Sequence, residues 1–219
     1  MILVIRAGLD CLSFREIIVS EVLTDIPPGL KFLPYMEHYC DTEDWAPFTQ
    51  THSVEVSDNN YSLVRRISPH FMTHGVVEIG VSRNGDRSFT HALFSNKPDN
   101  IKYLGIDVED KSHLNNPEKN IYTIRSTSYD QTRIREYMKD IGLEKISILL
   151  IDGHHSLHAV RNDWLYADLL SDDGIVIFHD TNSHPGPLVL TNSIDPSKYR
   201  IERFFETEDD YGMVVAYKI

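Results

Sequence analysis

Residues 76–89 read VVEIGVSRNGDRSF, and the order of residue types there decides the fold. An apolar run, 76–79, meets a glycine turn from Gly80 to Gly85, which opens into a helix-like segment at 87–94. Glycine lets the backbone approach a ligand closely, so strand, tight turn and helix in that order form a nucleotide-binding crevice. Glu78 puts a carboxylate at the end of the strand. It would repel the pyrophosphate of a dinucleotide. It would attract the ammonium and sulfonium of S-adenosylmethionine (SAM), which carries no phosphate. The turn therefore favours methyl transfer over hydride transfer.

The bulk composition narrows the partners. With 219 residues, 41% hydrophobic and 25% charged, the chain is long enough for one domain with a sizeable core plus an appendage. The net charge of −12 and the lack of any basic run longer than Arg65-Arg66 oppose nucleic acid as a partner. Cys11 and Cys40 form neither a CxxC pair nor a disulfide framework, which suits a reducing compartment. The opening MILVIRAGL is interrupted by Arg6 and too short for a signal peptide, and no stretch has spanning length. These features predict a cytoplasmic protein that engages no membrane.

Residues 1–70 differ from the remainder. A helix is expected at 13–23, followed by Pro27-Pro28, Pro34, an aromatic patch (Tyr35, Tyr39, Trp45, Phe48) and a polar turn at 57–60. Such a segment suits a cap or lid, or a homo-oligomer contact; packing of its aromatics onto the main domain is the plainer alternative. From residue 71 to 219 the pattern alternates. Strand-like runs fall at 76–79, 103–106, 121–124, 146–151 and 175–178, with helix-like segments at 87–94, 131–141 and 158–170. Asp130 is expected to cap the helix at 131, and Gly142 to end it. The runs 199–205 and 213–217, joined by a polar acidic segment, read as an antiparallel hairpin. The fold class is α/β: a mostly parallel, Rossmann-like sheet with a C-terminal antiparallel hairpin, resembling that of class I SAM-dependent methyltransferases.

Open sheets of this kind bind ligands beyond the carboxyl ends of their strands. Those ends supply Glu78, Gly80, Ser82 and Gly85 from the first strand and turn, and Asp107 with Val108 from the second. A carboxylate at Asp107 suits the ribose hydroxyls of NAD and SAM alike. After the third strand, Ser126, Ser128 and Tyr129 are candidates for the adenine, although Ser128 and Asp130 also suit helix capping. The fourth and fifth strands end in LLIDGHHS and VIFHDTNSH, gathering Asp152, His154, His155, His179, Asp180 and Asn182. His155 suits general-base work, because an imidazole with a pKa near 6.5 exchanges a hydroxyl proton at neutral pH. Asp163 reads as a solvent-facing charge on a helix, with orientation of a site histidine as the alternative.

The phrases EIGVSRNG, GIDV, IDGHHS with Asp163 downstream, DDGIVIFHDT and a following His-Pro-Gly resemble small O-methyltransferases of the macrocin, mycinamicin and novobiocin pathways, and their cephalosporin hydroxylase-like relatives. The resemblance covers about residues 75–190. It implies SAM as methyl donor, a small-molecule acceptor such as a sugar or glycosylated metabolite, and in several members Mg²⁺. Carried over by position, the metal ligands are Asp152, His179 and Asp180, and His155 is the base. Some members have an acidic residue where His179 stands. Imidazole favours Zn, Mn or Fe over Mg²⁺, so another divalent cation, an oxygen from Thr181 or Asn182, or a metal-free site stays open. Three other readings remain: an NAD(P)-dependent oxidoreductase, which the absence of GxGxxG disfavours, a metal-dependent hydrolase, and a SAM-binding protein without catalysis.

Overall fold

The computed structural model of the chain describes residues 3–6, 16–19, 21–22, 26–31, 34–35, 57–81, 88–182, 184–205 and 210–219. Two small antiparallel pairs come first: β1 (Leu3–Arg6) with β2 (Glu16–Val19), and β3 (Glu21–Val22) with β4 (Pro34–Tyr35). Over 16–19 and 21–22, the described part of the helix expected at 13–23, the chain forms strands instead. Ile17, Ile18, Val19 and Val22 are β-branched, and their stiff side chains suit an extended backbone.

The main sheet has seven strands: β5 (Gly75–Ile79), β6 (Tyr103–Asp107), β7 (Ile121–Arg125), β8 (Ile146–Ile151), β9 (Leu170–His179), β10 (Tyr199–Phe204) and β11 (Met213–Lys218). Their spatial order is β10-β11-β9-β8-β5-β6-β7. β5 to β9 run parallel to one another, whereas β11 is antiparallel to both β9 and β10. The C-terminal hairpin therefore forms as expected, with its last strand inserted between β9 and β10. Chain direction along the sheet reverses between β5 and β8, and that switch point is where a crevice opens.

The near-continuous apolar runs of the inner strands follow from burial on both faces. In β8, Leu149 and Ile151 join one cluster while Ile148 and Leu150 join the other. The first cluster is closed by α3 (Gln131–Asp140), α4 (Leu157–Trp164) and α5 (Pro185–Ser193), through Ile134, Met138, Val160, Trp164 and Leu190. The second is closed by α1 (Ser57–Ile67) and α2 (Phe89–Asn96), through Leu63, Val64, Ile67, Phe89 and Leu93. Each fully buried side chain of this size contributes about 1.5–3 kcal/mol.

Three expectations need correction. Residues 57–60, expected as a turn, open α1, and the apolar residues at 63, 64 and 67 supply the stripe that docks it. The stretch 182–192, which reads from its sequence as a loop shaping the acceptor pocket, holds most of α5, begun by Pro185 in the first turn, where its missing N–H is not needed. The helix expected across 158–170 ends at Trp164 and continues as a 3₁₀ segment, Leu165–Leu169.

Residues 26–31 are held by the same domain. Trp164 Nε1 donates to the Pro28 carbonyl at 2.9 Å, Lys31 N–H donates to the Ser193 carbonyl at 2.8 Å, and Leu30 is buried in the first cluster. The predicted cap on α3 is present: the Asp130 side chain accepts from Arg133 N–H at 3.3 Å, and Gly142 follows the helix at φ 67°. Among the described residues no helix is long and apolar enough to cross a membrane.

Candidate active site

The switch point is assembled by backbone. Asp152 N–H donates to the Ile79 carbonyl at 2.8 Å, and Gly80 N–H donates to the Ile106 carbonyl at 2.9 Å. Gly80 adopts φ 86°, and a Cβ there would lie 2.1 Å from the Asp152 carbonyl oxygen. Only glycine suits that crossing. The Gly80 turn and the Asp152 loop are therefore in direct contact, as the strand-end reading required. Ser82 and Gly85 lie outside the described residues.

Glu78 is not open at the strand end. It is fully buried on the α1/α2 face, where Thr90 Oγ1 donates to Oε1 at 2.6 Å and the Tyr103 hydroxyl donates to Oε2. Burial pushes its carboxyl up to about 8, against the opposing hydrogen bonds of Thr90 and Tyr103. Glu78 is thus a buried carboxyl that senses Asp152 and His179 through the field. Thr90 and Tyr103 were not anticipated as its partners. The available signal was Gly105, paired with Glu78 across the strands: a Cβ at Gly105 would sit 2.9 Å from the Tyr103 hydroxyl.

Asp107 ends β6 beside the β5 turn. Oδ2 accepts from Val81 N–H at 2.9 Å and Oδ1 from Glu109 N–H at 2.7 Å, with Lys111 Nζ 3.9 Å from Oδ2. Each carboxylate oxygen keeps acceptor capacity beyond one such bond. Val108 directly follows β6 and Tyr129 lies between β7 and α3; their side chains are 63% and 57% exposed. The serines behave differently from expectation. Ser126 Oγ donates to the Thr127 carbonyl at 3.2 Å, and Ser128 Oγ accepts from Asn162 Nδ2 at 3.2 Å. Ser128 also hydrogen-bonds Asp163, so its hydroxyl faces α4.

Asp163 is buried, which corrects the solvent-facing reading. Burial pushes its carboxyl up to about 6, against hydrogen bonds from Ser128 and Asn162. Its spacing from Val160, with Trp164 next to it, places it on the buried stripe of α4, and that was the missed signal.

The densest chemistry lies where β8 and β9 end. His179 Nδ1 is 2.8 Å from Asp180 Oδ1 and 3.5 Å from Asp152 Oδ1. His155 Nε2 is 3.1 Å from Asp180 Oδ2 and 3.8 Å from Asp152 Oδ1. Asp180 takes φ 60°, a left-handed turn rare outside glycine, asparagine and aspartate, and this turn leaves β9 directly after His179. Burial would lower the His155 imidazole, but hydrogen bonds to Asp152 and Asp180 push it up to about 10. Burial would likewise raise Asp180, yet His179 and then His155 hold its carboxyl far below the ordinary range. Asp152, His179 and Asp180 offer ligand atoms close enough to share one ion, and so do His155, Asp180 and His184.

Around this centre the second layer is specific. The ring of His184 stacks on His155 with centroids 4.1 Å apart. Ser156 caps α4 by accepting from Ala159 N–H at 3.3 Å, and exposed His154 Nδ1 accepts from Ser156 N–H at 3.2 Å. Asn182, considered as an oxygen ligand, donates from Nδ2 to the carbonyls of Phe205 at 2.8 Å and Asp210 at 3.2 Å, which anchors its side chain.

A parallel sheet with one inserted antiparallel strand, a glycine crossing at the switch point and a strand-end carboxylate on the neighbouring strand is the fold of the class I SAM-dependent methyltransferases. Solved structures bear this out. One is similar at 10% identity and a TM-score of 0.54: an O-methyltransferase from Bacillus cereus in complex with S-adenosylhomocysteine (SAH), with 80% of this chain and 86% of that chain covered. Another is MycE, a methyltransferase of the mycinamycin biosynthetic pathway in complex with Mg and SAH, at 17% identity and a TM-score of 0.51. There 72% of this chain aligns with 48% of MycE, so the chain spans about half the length of that protein. No family model matches the sequence, and no curated protein matches it.

Proposed function

We propose that this chain is a SAM-dependent O-methyltransferase acting on a hydroxyl of a small molecule, of the sugar or glycosylated-metabolite class. The observation that carries the reading is the gathering of His155, Asp152 and Asp180 at one crevice edge, in contact with the Gly80 turn. Asp107 has acceptor capacity for ribose hydroxyls, and Val108 and Tyr129 offer apolar faces to an adenine. Bound SAM supplies an electrophilic methyl on sulfur. The donor set also fits a divalent cation at Asp152, His179 and Asp180, which when bound acidifies and orients a hydroxyl.

The chain's own part is proton and position. Between two carboxylates, His155 is held as an imidazolium at neutral pH, so it takes the base role only where their charge is compensated. Its Nε2 then accepts the hydroxyl proton as the oxygen–carbon bond forms and the carbon–sulfur bond breaks. His184, stacked on that ring, fixes the direction in which Nε2 points. A cytoplasmic location, and a lid or homo-oligomer contact formed by the part of residues 1–70 outside 26–31 and α1, belong to the same proposal.

Calorimetric titration with SAM and SAH tests the cofactor, and transfer of labelled methyl from SAM to a panel of sugars and glycosides tests the acceptor. We expect binding of both in roughly the micromolar range. No binding of either overturns the reading.

A further inference from the structure

The third donor at the cluster is nitrogen by construction. His179 is 6% exposed at the end of β9, and its ring packs on the edge of Phe89 and against Tyr211. Those contacts leave Nδ1 directed at both carboxylates, 2.8 Å from Asp180 and 3.5 Å from Asp152. Neighbouring donors on one small divalent ion with bonds of about 2.0–2.2 Å are separated by roughly 2.9–3.6 Å, so these spacings need only minor adjustment.

The surroundings add nitrogen rather than oxygen. Asp180 Oδ2 faces His155, whose ring is stacked on His184, so three imidazoles surround one carboxylate. The Asn182 amide ties the hairpin connection to β9, and Thr181 is buried, its N–H donating to the Gly212 carbonyl at 3.3 Å. Mg²⁺ demands hard oxygen ligands and near-octahedral geometry, while imidazole suits later first-row ions.

We propose that the Asp152–His179–Asp180 cluster is a binding site for a first-row transition ion that accepts imidazole, of the Mn²⁺, Fe²⁺, Co²⁺ or Zn²⁺ class, and discriminates against Mg²⁺. The proposal rests on the methyl-transfer reading for the ion's role, and on the donor set alone for its identity.

The test uses the full chain stripped with chelator, then titrated calorimetrically with MnCl₂, with MgCl₂ and, separately, with SAH. We expect Mn²⁺ to bind at least about 30-fold more tightly than Mg²⁺, and His179→Asp to shrink that ratio to about threefold. Pulsed electron paramagnetic resonance on the Mn²⁺-loaded wild-type chain, which needs no variant, is expected to show nitrogen modulation from a directly bound imidazole. Equal affinity for Mg²⁺ and Mn²⁺, absence of nitrogen modulation, or an unchanged ratio in a folded His179→Asp variant overturns the inference. SAH binding without any ion binding defeats the ion assignment and leaves methyl transfer standing. Selective Mn²⁺ binding with nitrogen modulation but no SAH binding supports the ion assignment and removes the methyl-transfer reading.

Discussion

The hydroxyl of Tyr103 reaches across Gly105 to donate to Glu78, joining β6 to β5 beneath the candidate cofactor crevice. Among the described residues Glu78 is held by two hydroxyl donors and by no hydrogen-bonded cationic side chain, so its charged form is expensive to bury. The folded-state pKa of about 8 lies above the unfolded value of 4.5. A carboxyl raised in this way favours folding most below pH 4.5, and that contribution is lost as pH rises through about 8. Glu78→Gln removes the titration. Its stability relative to wild type is expected to rise with pH across that window, on the order of 1 kcal/mol per pH unit at most. Denaturant unfolding of both proteins at several pH values checks this; a difference that stays flat with pH contradicts it.

Gly105→Ala tests the same contact from the other side. The added methyl would meet Val81 Cγ2 at 2.7 Å and the Tyr103 hydroxyl oxygen at 2.9 Å. Both are side-chain ends, so the cost is repacking rather than a backbone collision, about 1–3 kcal/mol. The displaced hydroxyl also leaves a buried carboxyl oxygen short of a donor. Chemical denaturation is expected to show a lower midpoint with an unchanged slope.

The strand pattern made most of this sheet legible. All five parallel strands fall where apolar runs predicted them, because strands buried on both faces must be apolar throughout. The convergence of residues 152, 155, 179 and 180 was legible for the same reason: a parallel sheet brings the carboxyl ends of adjoining strands together whatever their separation in sequence. What the sequence hid were side-chain directions. Glu78 and Ser128 carry polar groups at the correct strand ends, yet Tyr103 and Thr90 draw one inward, and Asn162 and Asp163 draw the other toward α4. α5 was hidden because its proline and glycine resemble a loop, although both sit in the first helical turn.

Asp107→Asn isolates the ribose assignment. The side chain keeps one carbonyl acceptor but loses the charge that receives Val81 and Glu109 N–H together. An amide nitrogen facing either backbone donor is repelled, so the turn after β5 loosens at the crevice. SAH affinity is expected to fall at least about tenfold, roughly 1.4 kcal/mol, with a smaller loss of global stability. Calorimetric titration reads the first quantity and thermal unfolding the second. Unchanged affinity in a folded variant removes Asp107 from the cofactor site.

Gly186→Ala probes how α5 sets the candidate base. A Cβ at position 186 would lie 2.1 Å from the His155 carbonyl oxygen and 2.7 Å from the Ser156 carbonyl carbon. These are backbone atoms at the start of α4, where Ser156 fixes the first turn, so neither side yields cheaply. The N-terminus of α5 must lift, carrying His184 away from the ring it stacks on. A loss of about 2 kcal/mol or more in stability is expected, together with a freer His155 imidazole. Nuclear magnetic resonance of the histidine rings separates these effects: the His155 signal is expected to shift and broaden, while that of exposed His113, far from α5 in sequence, stays put. If His155 keeps its wild-type signal in the variant, α5 is not what orients it.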